Sequence, residues 1–165
     1  MAGRKVFFSF HYELDVWRAS IIRNCGIVDA SARAGWNDAS LWNSVEKKGN
    51  AAVRSAIDNG LKGTSVTTVL IGEETANRPW VKYEIEQSIK RGNGLIGIRI
   101  DQLRNQTGKK GKRGPIPKAL RDYRTYDWNQ SSFGRWVEFA AIDAGRPCLK
   151  HGNEKCVWCR WMWWW

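Results

Sequence analysis

The chain has 165 residues, 42% of them hydrophobic and 26% charged, which suits one globular domain able to bury a core without disulfide or metal staples. A net charge of +11 and a pI near 9.8 favour anionic partners such as nucleic acid, an acidic membrane surface or a phosphorylated small molecule, although a solvated basic surface alone accounts for them. No stretch reaches transmembrane length, Glu13 and Asp15 break up any signal-peptide core, and four unevenly placed cysteines do not read as a secreted framework, so a cytoplasmic protein is expected.

Val6 to Phe10 (VFFSF) is apolar almost throughout and predicts a strand buried on both faces. Val16 to Cys25 predicts a helix with Val16, Ala19, Ile22 and Arg23 along one stripe, ended by Gly26. Residues 27 to 46 hold at most a short strand, with Gly35 and Asn37 as loop punctuation. A second helix is expected from Ala51 to Leu61, burying Val53, Ala56, Ile57 and Leu61 and closed by Gly60 and Gly63. Ser65 to Ile71 is a β-branched run bounded by glycines 63 and 72, the pattern of an interior strand. The pattern then turns helical, with Val81, Ile85 and Ile89 four apart and Pro79 tolerated in the first turn. Trp80, Glu84 and Ser88 share a second face of that helix. Leu95 to Ile100 is another buried strand. Residues 101 to 124 are basic and rich in glycine and proline, predicting an irregular, partly mobile connection. Tyr126 to Trp128 reads as a short edge strand. Ser132 to Ala144 makes a last helix, capped by Ser131 or Ser132 and burying Phe133, Trp136, Val137 and Ala140.

Strands alternating with helices imply an α/β fold, a parallel sheet covered on both faces. Ligands of such sheets bind outside the carboxyl ends of the strands, where the strand order reverses. With a flavodoxin-like order that crevice lies between the first and third strands, at Ser9-Phe10-His11, Gly72-Glu73 and the helix bearing Glu84. Glu84 is the candidate carboxylate; the plainer alternative is a solvent-facing glutamate paired with Lys82 or Arg91. Glu86, two residues on, faces elsewhere. His11 is either a general base or, more simply, a packed and hydrogen-bonded histidine. Trp17, Trp36, Trp42, Trp128 and Trp136 read as core or rim residues. The basic stretch from Arg104 to Arg124 lacks interleaved aromatics until Tyr123, so nucleic acid is not the expected partner.

Taken together, VFFSFHY near the start, DASLW at 38 to 42, GTSVTTVLIG at 63 to 72, RPWVKYEIEQSI at 78 to 89 and GNGLIGIRI at 92 to 100 resemble the TIR-like family, most closely its Thoeris antiphage branch of ThsB-type proteins. The resemblance covers residues 4 to 143 and divides the chain into a TIR-like domain, residues 1–145, and a Cys- and Trp-rich tail, residues 146–165. It implies a flavodoxin-like three-layer fold with a central, mainly parallel sheet. It also implies an NAD+ glycohydrolase or ADP-ribosyl cyclase type of activity, with NAD+ as substrate and no resident cofactor. The product would be a cyclic ADP-ribose-type signal that activates a partner Thoeris effector. TIR enzymes carry their catalytic glutamate four residues beyond a tryptophan, and Trp80-Val81-Lys82-Tyr83-Glu84 has that spacing. By the same resemblance Ser9, Phe10 and His11, Asp38 and Ser40, and Trp80 are the substrate-binding candidates. His11 departs from the pattern, standing where many TIR enzymes have arginine.

These residue types suit the chemistry. Cleaving the nicotinamide–ribose bond develops positive charge on the ribose, which one adjacent carboxylate can stabilise. An aromatic such as Phe10 can stack on a base, and basic side chains can hold the diphosphate. Two other classes stay open: a non-enzymatic TIR-like assembly module, which like the enzyme could form homo-oligomers, and a basic nucleic-acid binder. In the tail, Cys148, His151, Cys156 and Cys159 have spacings that could form a small zinc knuckle. The short central loop and the tryptophan bias of the tail argue against it, and no metal is expected.

Overall fold

Strands form where β-branched and aromatic residues run without interruption. The computed structural model describes residues 4–28 and 45–144. There β1 (Val6–Ser9), β2 (Val66–Ile71), β3 (Gly94–Arg99) and β4 (Thr125–Asp127) make one sheet in that order. Every pairing is parallel, with Val6 beside Val66, Val66 beside Gly94, and Gly97 beside Thr125. All six residues of β2 are buried, as a strand covered on both faces requires. The short strand expected within 27 to 46 lies outside the described residues, save Ile27, Val28, Val45 and Glu46, which are not in a strand.

Among the described residues, helices α1 (Tyr12–Arg23), α2 (Asn50–Leu61), α3 (Pro79–Arg91) and α4 (Gln130–Ala144) pack around the sheet. Helix α1 begins four residues before the expected Val16, because Glu13 and Asp15 sit favourably in its first turn. It closes at Asn24 rather than Gly26, and its buried face holds Asp15 and Arg18 beside Ala19 and Ile22, whereas Val16 and Arg23 are only half-buried. Trp17, expected in the core or at its rim, is about half exposed, since it falls opposite that face. Helix α4 starts at Gln130 and is capped by Asn129, whose Oδ1 accepts the Ser132 N–H at 3.1 Å; neither Ser131 nor Ser132 is the cap. Helix α3 has Pro79 as its first residue and the left-handed Gly92 (φ 79°) as its C-cap.

The two faces of the sheet carry different helices. Ser9 reaches Glu84 and Thr67 reaches Ser88, so α3 covers the face that also shows Val69 and Ile71. Helix α2 lies beside it, with Asp58 receiving the Tyr83 hydroxyl and pairing with Arg91. On the opposite face Phe8 meets Phe133 of α4 with ring centroids 6.3 Å apart. This is the α/β, flavodoxin-like arrangement expected of the chain.

The connection from 101 to 124 is irregular apart from a 3-10 turn at Lys118–Leu120. It is not loosely attached, however. Arg18 of α1 donates from Nε to the Leu103 carbonyl at 2.9 Å and from Nη2 to that of Lys109 at 3.3 Å. Arg99 holds the Gly114 carbonyl, Lys112 pairs with Glu73, and Arg113 pairs with Asp127 at 2.9 Å. The expectation of partial mobility missed these anchors because most of them join residues distant in sequence. Among the described residues no helix is long and apolar enough to cross a membrane. The tail, with Cys148, His151, Cys156 and Cys159, lies outside the described residues, as do Trp36 and Trp42.

Candidate active site

A cavity of about 260 Å³ opens where β1 runs into α1, beside the first turns of α3. The chain leaves β1 at Ser9 and re-enters helix at Tyr12, so Phe10, His11 and Glu13 are delivered together at the carboxyl end of the strand. Helix α3 supplies the opposite wall with Arg78, Trp80 and Glu84.

Glu84 is at the bottom of this arrangement and only 4% exposed. The Ser9 hydroxyl donates to its Oε2 at 2.5 Å. Burial pushes the carboxyl up to about 8, an effect that the Ser9 hydrogen bond opposes only in part. At neutral pH the carboxyl is therefore largely protonated, and a nearby positive charge would ionise it. One helical turn further, Ser88 donates to the Glu84 carbonyl at 2.6 Å and shares a hydrogen bond with Thr67 of β2. These contacts fix the rotation of α3 against the sheet, and with it the direction of the Glu84 side chain. The pairing of Glu84 with Lys82 or Arg91 does not occur: Glu86 lies 3.9 Å from Lys82, and Arg91 pairs with Asp58.

His11 is 3% exposed, and among the described residues neither ring nitrogen has a partner within hydrogen-bond distance. Its nearest carboxylate oxygen, Glu13 Oε2, is 3.6 Å from Nε2. Burial lowers its pKa, with the Arg78 guanidinium acting in the same direction and Glu13 against it, so the imidazole is neutral at pH 7. The imidazole is packed, as the plainer reading has it, with the Glu13 carboxylate facing it. Trp80 is half-buried and meets Tyr83 edge-on at 6.1 Å, while Phe10 lies 5.9 Å from Tyr12.

Ser9, Phe10, His11, Trp80 and Glu84 are therefore brought together, whereas Asp38 and Ser40 lie outside the described residues. Gly72 and Glu73 do not line the cavity. Gly72 packs against the Asp15 carboxylate, the backbone of Gly114 presses on it from the loop, and Glu73 pairs with Lys112. Sequence reasoning missed Tyr12, Glu13, Glu46 and Arg78, which also line the site. For Arg78 the signal was its place immediately before the helix-starting proline. Among the described residues no cluster of histidine, cysteine, aspartate or glutamate is arranged to hold a metal.

A parallel sheet flanked by helices, with a buried carboxylate on the helix after an interior strand and a tryptophan one turn before it, is the arrangement that the TIR-like resemblance implies. Residues 7–105 match the family described as Thoeris protein ThsB, TIR-like domain. The chain is also 39% identical over 149 residues, 83% of its own length and 76% of the relative's, to a Bacillus cereus (strain MSX-D12) protein named "Putative cyclic ADP-D-ribose synthase ThsB1". The chain belongs to the ThsB TIR-like family of Thoeris proteins.

Proposed function

We propose that this protein cleaves NAD+ and closes the remaining ADP-ribose into a cyclic ADP-ribose-type signal for Thoeris antiphage defence, where the nucleotide activates a partner effector. NAD+ is the substrate, there is no resident cofactor, and the reaction takes place in the cytoplasm. The observation that carries the reading is the buried Glu84 carboxyl beside Ser9 at the base of the cavity. The name of the Bacillus cereus relative supports it.

In the reaction, the bond between nicotinamide and C1′ of its ribose breaks, and the electron pair leaves on nicotinamide. A nucleophilic atom elsewhere in the same molecule bonds to C1′ and one proton is released, so NAD+ gives nicotinamide, a cyclic nucleotide and H+. Glu84 ionises as the cationic nicotinamide enters, bonds the ribose hydroxyls and stabilises the positive charge that develops on the sugar. Ser9 orients the carboxylate. Phe10 and Trp80 offer ring faces for stacking. Hydrolysis to ADP-ribose is the competing outcome, disfavoured to the extent that the site excludes water.

Glu84→Gln keeps the shape of the side chain and removes its charge. NAD+ turnover, with products resolved by mass spectrometry, is expected to fall by roughly 10³-fold in this variant. A folded Glu84→Gln protein that still consumes NAD+ at the wild-type rate sinks the proposal.

One observation favours assembly as a second property. Leu14, Trp17 and Ile21 are 48%, 48% and 40% exposed and follow one another along a single face of α1. Sedimentation that shows only monomer at high concentration would remove this reading.

A further inference from the structure

Helix α1 presents its apolar stripe beside the most basic stretch of the chain. Leu14, Trp17 and Ile21 are each about half exposed. The carboxylates of α1 are already engaged, Asp15 with Arg18 and Glu13 with Arg78. Arg18 ties the stripe to the loop after β3. Its Nη1 donates to the Leu14 carbonyl at 3.5 Å, its Nε and Nη2 donate to the carbonyls of Leu103 and Lys109, and Gly111 lies against the guanidinium. Residues 101–124 carry eight lysines and arginines against two aspartates, so the larger part of the chain's +11 resides there. The part nearest α1 is a closed turn: Arg104 and Lys110 bridge antiparallel, the Asn105 N–H donates to the Lys109 carbonyl, and Asn105 Oδ1 accepts the N–H groups of Thr107 and Lys109. Further on, Lys112 and Arg113 have carboxylate partners in Glu73 and Asp127. Arg104 and Lys110 bond only neutral oxygens, the Gly108 carbonyl and the Gln102 side chain. Among the described residues no carboxylate pairs with exposed Arg104, Lys109 or Lys110.

We infer that the α1 stripe and the turn at 104–110 together dock an acidic amphipathic segment of another protein, its apolar side chains on Leu14, Trp17 and Ile21 and its carboxylates on Lys109 and Lys110. The inference goes beyond the NAD+ reading and does not rest on it; the partner would compete with self-assembly through the same stripe. Leu14 to Ile21 rises about 10 Å, enough to seat two to three turns of a crossing helix. Charge decides among the occupants. A second copy meeting this face about a two-fold axis brings a second basic turn and no carboxylate for the first. Nucleic acid would satisfy the cations and leave Leu14 and Ile21 in water. A bilayer needs apolar side chains that reach roughly 5–10 Å below its surface, and these are half-buried in the protein.

Fluorescence anisotropy tests the inference with a labelled synthetic helical peptide of about five turns, leucine along one face and glutamate along both flanks. The control peptide carries glutamine for glutamate. Wild type is expected to bind the glutamate peptide roughly tenfold more tightly than the control, and less tightly as salt rises. Trp17→Ser, which leaves the charge unchanged, and the double variant Lys109→Glu with Lys110→Glu are each expected to weaken binding about tenfold. Ile21→Ser is a second variant of the stripe. Lys62→Glu with Lys90→Glu makes the same charge change at the ends of α2 and α3 and is expected to alter little. Equal binding of the two peptides, or an equal loss in the Lys62 and Lys90 double variant, reduces the effect to net charge and overturns the inference. So does wild-type affinity in Trp17→Ser and Ile21→Ser proteins of normal melting temperature. Tighter binding of a DNA duplex or of phosphatidylserine vesicles, lost in the same variants, overturns it in favour of those partners. Oligomers in sedimentation that saturating peptide fails to dissociate give the stripe to a second copy and overturn it too. Each readout is independent of NAD+ cleavage, so failure of the enzymatic reading leaves the docking face standing.

Discussion

Glu84 and Glu86 stand two residues apart on α3 and meet different environments. Glu86 faces outward and lies 3.9 Å from Lys82, a pair worth little in water. Glu84 faces Ser9 of β1 beneath α3 and is buried, which raises its pKa to about 8. If its carboxylate is the working form, the sign of the pH dependence follows. Below about 8 the free protein carries the inactive, protonated group, so kcat/KM should rise with pH and level off above that value. Ser9→Ala removes the hydrogen bond that favours the charged form and should move the limb to higher pH. A profile flat from pH 6 to 9, or one unmoved by Ser9→Ala, would contradict this assignment.

At the scale of elements, the position of α4 depends on a residue with no side chain. Gly94 opens β3 with its Cα against the Ala140 carbonyl of α4, and a Cβ there would overlap backbone atoms that cannot rotate away. Gly94→Ala should therefore destabilise the fold by about 1–3 kcal/mol, through overpacking rather than through any lost contact. The check is a lower urea midpoint at an unchanged slope. An unshifted midpoint would mean that α4 can move off the sheet without penalty. Helix α3 is positioned by other means: Pro79 starts it, Gly92 ends it, and the Thr67–Ser88 hydrogen bond at 2.7 Å fixes its rotation.

Over the whole molecule, the basic connection after β3 is part of the same assembly as the site. Asp15 and Arg18 of α1 form a buried pair at 3.2 Å, Asp15 packs on Gly72 at the end of β2, and Arg18 grips two loop carbonyls. Arg18→Ala leaves the Asp15 carboxylate buried without its partner, a change that costs roughly 3–5 kcal/mol in comparable pairs. Proton uptake by Asp15, already raised by burial to about 6, would soften that loss at acid pH. Hydrogen exchange should quicken at the Gly111 amide, which bonds the Asp101 carbonyl, before the sheet amides respond. If loop and sheet amides speed up together, Arg18 supports global stability and does not act as a local clasp.

Hydrophobic periodicity and glycine punctuation are local signals, and they located β1–β4 and α1–α4 to within four residues, though not the short 3-10 helices. The spacing Trp80–Glu84 made the carboxylate a candidate only together with the family resemblance, since spacing alone suits a solvent-facing glutamate equally well. Charge on a side chain, by contrast, says nothing about where its partner lies. Nothing local to Arg18 and Asp15 marks them for burial; the fold brings Leu103, Lys109 and Gly72 against them. Arg78 and Glu13, 65 positions apart, became one wall of a cavity only when β1 and α3 packed together. The sequence by itself determined the elements, because they depend on residues near one another along the chain, and it made Glu84 a candidate through the resemblance of five motifs to a known family. Burial of Glu84 and His11 and the meeting of Arg78 with Glu13 were decided by tertiary structure, because desolvation and long-range contact exist only once the helices cover the sheet.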